Sequence, residues 1–145
     1  MLLGAASPTL LVVLVVVLAP IGSVAIWSGN CVLLALLSGW AALARRYRCA
    51  DDEPHGAEHF VTGMLGVVSF RGALTVGIAE DGLDLRVMAV FRPGHPPLRI
   101  PWDAIQVEGE ARRWFFGPVT HLRLGPGGPL LRLPSEIWAR AGRPR

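Results

Sequence analysis

Three groups of residues in this 145-residue chain have types and spacings that could do chemistry. His55-Gly56-Ala57-Glu58-His59 matches H-x-x-E-H, in which two imidazoles on one helical face hold zinc and the glutamate activates a bound water. That chemistry needs a helix, and Pro54 and Gly56 disfavour one. A zinc metallohydrolase through His55, Glu58 and His59 is the enzymatic alternative to a non-catalytic reading. The second group, GHPPLRIPWDAI, places His95, Arg99 and Asp103 between prolines with no nucleophile or second base beside them. It reads as scaffolding: Pro96 and Pro97 hold an extended approach, residues 98–100 form a strand, and Pro101 ends its donor row. Asp103 closes a turn, Ile100 and Ile105 face the core, and Trp102 is a large packing group. His95 then reads as a loop histidine and Arg99 as a solvated strand arginine. The third group, Arg112-Arg113-Trp114-Phe115-Phe116, sets two cations beside three aromatics at an expected hairpin tip, suited to an interface or a partner; an ordinary strand end is the plain alternative. No Gly-rich phosphate loop, finger-spaced Cys/His pair or Ser-His-Asp grouping is visible, so no catalytic residue, metal ligand or cofactor is assigned.

The elements that must position these residues begin with an apolar run. Residues 1–44 carry no charged side chain, and Arg45, Arg46 and Arg48 come at once after them. A spanning helix needs about 20 apolar residues, and this run is about twice that. The pattern predicts a helical hairpin over residues 1–48, with residues 9–27 going out and residues 31–47 coming back. Ser28-Gly29-Asn30 is the expected turn, since an unpartnered Asn30 amide in lipid costs roughly 2–7 kcal/mol; Pro20-Ile21-Gly22-Ser23 is the alternative turn. A signal peptide with its apolar region at residues 10–18 and cleavage near Ser23-Val24-Ala25 competes, opposed by the lack of Lys or Arg ahead of it. The arginines place the C-terminal part of the chain on the cytoplasmic side of an inner membrane, as a multi-pass protein. They have a plain role as topology determinants and a sharper one as lipid-headgroup contacts. Cys31 and Cys49 fall near opposite faces of that membrane, so no disulfide is expected.

Residues 49–60 are acidic and punctuated by Pro and Gly, and read as a linker. Residues 61–145 then change period to short apolar runs broken by turn residues, the pattern of an antiparallel β domain. Seven strands are expected, at 62–70, 73–79, 83–91, 98–100, 105–114, 119–124 and 130–133. Along the third, Leu83, Leu85 and Val87 alternate with Asp84, Arg86 and Met88, which marks one face as core. Ser135 is placed to cap a short last helix that buries Ile137 and Trp138 and stops at Gly142. Seven strands closed by one helix is the order of a pleckstrin-homology-like barrel.

The runs GWAALARRYR, EDGLDL and above all FRPGHPPLRIPWDAI resemble a group of small bacterial membrane proteins that carry a pleckstrin-homology-like or GRAM-like domain. The resemblance covers roughly residues 39–105. It implies that fold, with the IPW-x-x-I segment as structure, and a membrane location; no catalytic residues, cofactors or ligands come with it. With 14 arginines and no lysine against 11 acidic residues, the charge suits an anionic membrane surface, and no basic helix or aromatic stripe suggests nucleic acid. The expected function is a membrane-anchored, non-catalytic module that scaffolds or regulates a membrane protein complex. The expected partners are the bilayer and another membrane protein. The rival is an anionic-lipid-binding module. Candidate contact residues for either are Arg45, Arg46, Arg48, Arg112, Arg113, Trp114 and Phe115.

Overall fold

The computed structural model describes residues 7–113 and 117–142, with the backbone alone at Arg113. Trp114, Phe115 and Phe116 therefore lie outside the described residues. The apolar run forms one continuous helix, α1 (Pro8–Ser38, 31 residues), and not a hairpin. Ser7 accepts a hydrogen bond from the Leu10 N–H at 3.3 Å and Pro8 opens the first turn, both favourable at a helix start. Neither Ser28-Gly29-Asn30 nor Pro20 interrupts the helix, so one candidate span replaces the expected two among the described residues. The physical reason is visible one turn later. Cys31, Ala35 and Ser38, spaced along one face, are buried against the β domain, so the second half of the run packs on protein and does not fold back. Gly39, at φ +83°, ends α1 in the left-handed conformation that glycine adopts without strain. Helix α2 (Trp40–Tyr47) comes directly after it and buries Trp40 and Leu43.

Seven antiparallel strands form one curled, half-barrel sheet in the order β4-β3-β2-β1-β7-β6-β5. They are β1 (Glu58–Leu65), β2 (Val68–Ile78), β3 (Gly82–Val87), β4 (Leu98–Pro101), β5 (Ile105–Arg113), β6 (Gly117–Leu124) and β7 (Leu130–Pro134). Two meanders meet where β1 pairs with β7, through only Met64–Arg132 and Leu65–Leu131. Leu65, Leu74, Leu85, Leu98, Ile100, Leu122, Leu124 and Leu133 fill the interior, and Trp40 and Leu43 of α2 belong to the same core.

Three expected strands differ from the sequence pattern, the one at 73–79 because β2 already begins at Val68 and runs on through Arg71 and Gly72. The expected strand 62–70 is cut by a turn at Gly66-Val67, where Gly66 has φ +56° and a Cβ would stand 2.9 Å from the Ser38 carbonyl oxygen. The expected strand 83–91 stops at Val87, and Ala89–Phe91 is a 3-10 turn closed by the Phe91 N–H on the Met88 carbonyl. Helix α3 (Ser135–Arg140) ends the fold with Ile137 and Trp138 buried, as the pattern predicts. Ser135 does not cap it: the residue is already helical, and its hydroxyl bonds the Thr120 hydroxyl at 2.8 Å.

Candidate functional site

The run from Ala89 to Pro97 is the seam along which the β domain docks on α1 and α2. Trp27 of α1 donates its indole N–H to the Val90 carbonyl at 2.8 Å and stacks at a tilt on Phe91, with centroids 5.5 Å apart. Gly94, at φ +75°, lies so close to the helix that a Cβ would stand 2.9 Å from the Val32 Cα. Trp40 donates to the Pro96 carbonyl at 2.9 Å. A Gly94→Ala protein therefore meets both a left-handed backbone penalty and a helix backbone that cannot yield. We expect it to lose about 2 kcal/mol or more, on the scale of strained special positions, read as a lower thermal midpoint in detergent.

His95 is no surface loop residue: it is 2% exposed, edge-on to Trp40 at 5.2 Å and to Phe70 at 5.8 Å. Its Nδ1 donates to the Pro93 carbonyl at 3.1 Å, and Nε2 is buried with no partner among the described residues. Protonation would put a charge on that unpartnered nitrogen, and burial holds the imidazole below its ordinary 6.5, outweighing hydrogen bonds to the Pro93 and Phe91 carbonyls. The folded value lies below the unfolded one, so folding favours the neutral ring. Its contribution is full above about pH 6.5 and is lost as pH falls toward the folded value. The thermal midpoint should thus drop between pH 7.5 and 5.5 in the wild type and drop less in His95→Asn, measured by paired scans.

The rest of that stretch behaves as scaffolding. Pro96 and Pro97 lead into β4, Ile100 is fully buried, and Pro101 is the last strand residue. Trp102, Asp103 and Ala104 form a 3-10 turn, and Ile105 packs half-buried on the core. Trp102 donates to the Glu80 carbonyl at 3.0 Å and lies edge-on to Trp138 at 6.1 Å.

Arg99 is also not a solvated arginine, because it helps hold a buried carboxylate. Asp84 is 0% exposed and takes Arg86 Nε at 2.6 Å on one oxygen, with Arg86 Nη2 at 3.2 Å and Arg99 Nη2 at 3.1 Å on the other. Arg86, nearly as buried, reaches onward to Asp51 at 2.7 Å and to the Asp52 carbonyl at 2.7 Å. Arg92 closes the cluster with two bonds of 2.8 Å to Asp51. Three arginines thus meet three aspartates, since Asp52 lies 3.8 Å from Arg99. Segment 48–53 is held on the outer face of β3, where Arg48 bridges Leu98 and the Cys49 N–H bonds the Pro97 carbonyl at 3.1 Å. This cover is why β3 is buried on both faces despite its alternating pattern. The Arg92 bonds draw the exposed Asp51 carboxyl below the usual range, while burial and then Asp84 push the Cys49 thiol up, keeping it protonated and a poor nucleophile. The sequence signal for this clasp is the Asp51-Asp52 pair, an acidic couple with arginines to meet.

The H-x-x-E-H residues are placed apart. His55 sits in a turn, while Glu58 and His59 are neighbours on β1, where successive side chains point to opposite faces. Glu58 pairs with Arg140; His59 bonds Thr75 at 3.2 Å and Glu53 at 3.1 Å. No group of three metal-ligating side chains occurs among the described residues.

Of the arginines offered as contact residues, Arg45, Arg46, Arg48 and Arg112 are exposed and make no side-chain ion pair or hydrogen bond among the described residues. By contrast, Arg86, Arg92, Arg99, Arg123 and Arg140 all meet carboxylates. Arg45 and Arg46 share the last turn of α2; Arg112 lies far along the chain on β5. Compared with family models, curated proteins and solved structures, the chain has no match. Its own surfaces are then the guide to function. The buried Asp84 and Arg86 are committed to the clasp, Thr75 and Thr120 bond within the β domain, and the surfaces left over include the α2 arginines and the outer face of α1.

Proposed function

We propose that this protein is a membrane-anchored, non-catalytic interaction module: a pleckstrin-homology-like β domain, cytoplasmic on an inner membrane, that scaffolds or regulates another membrane protein. The order of seven antiparallel strands and a closing helix supports the domain reading. Helix length supports the anchor. From Pro8 to Trp27 is 20 residues, about 30 Å at 1.5 Å per residue, the thickness of a hydrocarbon core, with Trp27 at its end as an interfacial aromatic. The unpaired Arg45, Arg46 and Arg48 beyond it support the cytoplasmic orientation.

The observation that carries the partner is what α1 does next. It runs on for about 16 Å past Trp27, with the β domain on one side only. On the other side Leu33, Leu36 and Leu37 are open, Leu33 at 51% and Leu36 at 59% exposure. Apolar side chains at this helical spacing outside lipid favour a protein surface over water.

The rival, anionic-lipid recognition, is favoured by the unpaired arginines. The interfacial layer, however, extends only about 5–8 Å beyond the hydrocarbon on each side, less than the run of α1 before α2 begins. Lipid contact is then a supporting term. A fragment starting at Glu58 is a poor probe of either reading, since it lacks Trp40, Leu43 and two aspartates of the clasp, Asp51 and Asp52.

The test uses the full chain in cells, with a photocrosslinking residue at Leu33. A discrete adduct with one membrane protein, lost when Leu36 and Leu37 become serine, is expected. Adducts to lipid alone, together with salt-sensitive vesicle binding abolished by Arg112→Glu/Arg113→Glu, would favour the rival. A C-terminal reporter active only outside the cytoplasm would overturn the orientation.

A further inference from the structure

We propose that Arg45 and Arg46, with the β6–β7 turn opposite them, form a binding site for a phosphate-bearing anion. The site lies on α2 and not on the open face of α1, so it goes beyond the partner reading and does not depend on it. A cavity of about 270 Å³ opens between the last turn of α2 and the turn Gly125-Pro126-Gly127-Gly128-Pro129. Tyr47 and Leu43 help line it, and among the described residues the only charged side chains lining it are Arg45 and Arg46.

Both guanidiniums are unspent among the described residues, and no acidic side chain among them shares the cavity. Two planar forks, each with five N–H donors, can be matched by the several oxygens of a doubly charged tetrahedral group, whereas one carboxylate is satisfied by a single fork. The opposing wall is built for close approach. Gly125 and Gly127 take left-handed conformations, at φ +78° and +65°, that other residues adopt only with strain. The space where a Gly127 Cβ would stand is open, and its N–H has no bond among the described residues. The wall is also fixed in place. Arg123, held by Glu108 at 2.6 Å, donates to the Gly128 carbonyl at 3.1 Å, and the Gly125 N–H bonds the Ala104 carbonyl at 2.8 Å. The cavity has room for more than one phosphate group, which suits a pyrophosphate or a phosphate ester.

The phosphate can belong to a soluble ester or to a lipid headgroup, and two arms separate these sources. In the first, ¹⁵N-labelled full-length protein in maltoside micelles is titrated with inorganic pyrophosphate, following the amides of Gly125, Gly127 and Gly128. In the second, the same amides are compared in nanodiscs of phosphatidylcholine with and without phosphatidylglycerol. Saturable shifts with pyrophosphate, weakened at least tenfold in Arg45→Gln/Arg46→Gln and unchanged in Arg48→Gln, are the expected result for a soluble anion. Shifts only with phosphatidylglycerol, with the same dependence on the variants, assign the site to a headgroup. No saturable shift in either arm overturns the proposal. So does a shift that survives the double variant, or one that Arg48→Gln weakens equally, since general surface charge would then explain it. The three arginines are exposed and unpaired among the described residues, so these variants should keep the wild-type fold.

Discussion

Asp84→Ala should be one of the two most damaging single changes in this protein, lowering stability by about 3–5 kcal/mol, the cost of breaking a buried pair by removing one partner. The reason lies in what stays behind. Arg86 keeps its charge but loses both bonds to the carboxylate, and Arg99 loses its bond at 3.1 Å, while the clasp still excludes water from Arg86. Asp84→Asn keeps the shape but removes the charge, and should fall between the alanine variant and wild type. Asp51→Ala makes a useful contrast. It removes a half-exposed pair with Arg92, which solvent screens, and the 2.7 Å bond from Arg86, but Arg86 keeps both bonds to Asp84, so the loss should be smaller than in Asp84→Ala. Urea titration of the detergent-solubilised chain, followed by tryptophan fluorescence, would measure all three. An Asp84→Ala midpoint equal to that of Asp51→Ala would show that the buried network contributes little.

Trp40→Ala is expected to cost about 3–5 kcal/mol, typical of deleting a large buried aromatic. It should also separate the domain from its anchor. Trp40 is fully buried, tilts on Phe70 at 5.9 Å, meets His95 edge-on and holds the Pro96 carbonyl. One side chain therefore joins α2, β2 and the docking seam. Trp40→Phe keeps most of the ring contact and loses the hydrogen bond, worth about 1 kcal/mol. Limited proteolysis would distinguish undocking from global unfolding: cleavage near Gly39 while the β domain stays resistant is the expected pattern for Trp40→Ala. Equal loss of all fragments would contradict it.

How much of this is legible in the sequence depends on the distance over which each residue finds its partner. The seven strands can be read locally, because their apolar periods and the Gly-Pro turns lie within a few residues of each other. The last helix is equally local, although the role of Ser135 is not, since Thr120 lies 15 residues away. The clasp cannot be read this way. Alternation on β3 predicts that Asp84 and Arg86 face water, and nothing within ten residues reveals that segment 48–53 will cover them. The continuous α1 escapes the pattern for a related reason. An apolar run twice the length of a span looks like two spans until its second half is known to pack on a distant domain. His95 looks like a loop histidine because Trp40 and Phe70 are 55 and 25 residues away, and burial is a property of that meeting.

The domain hangs from its anchor as a cantilever. Helices α1 and α2 bear on β2 and β4, and the clasp grips β3, all within the first meander. The second meander, β5 to β7, joins the first through two residue pairs and the shared interior, α3 rests on β6 and β7, and the helices meet this half at the β6–β7 turn, where Gly39 lies against Pro129 and Tyr47 against Gly125. On the proposed membrane-anchored reading, a tilt or thinning of the bilayer that moves α1 would carry β1–β4 with it as one body. The β5–β7 half follows through a short seam, packed leucines and the one turn that touches α2.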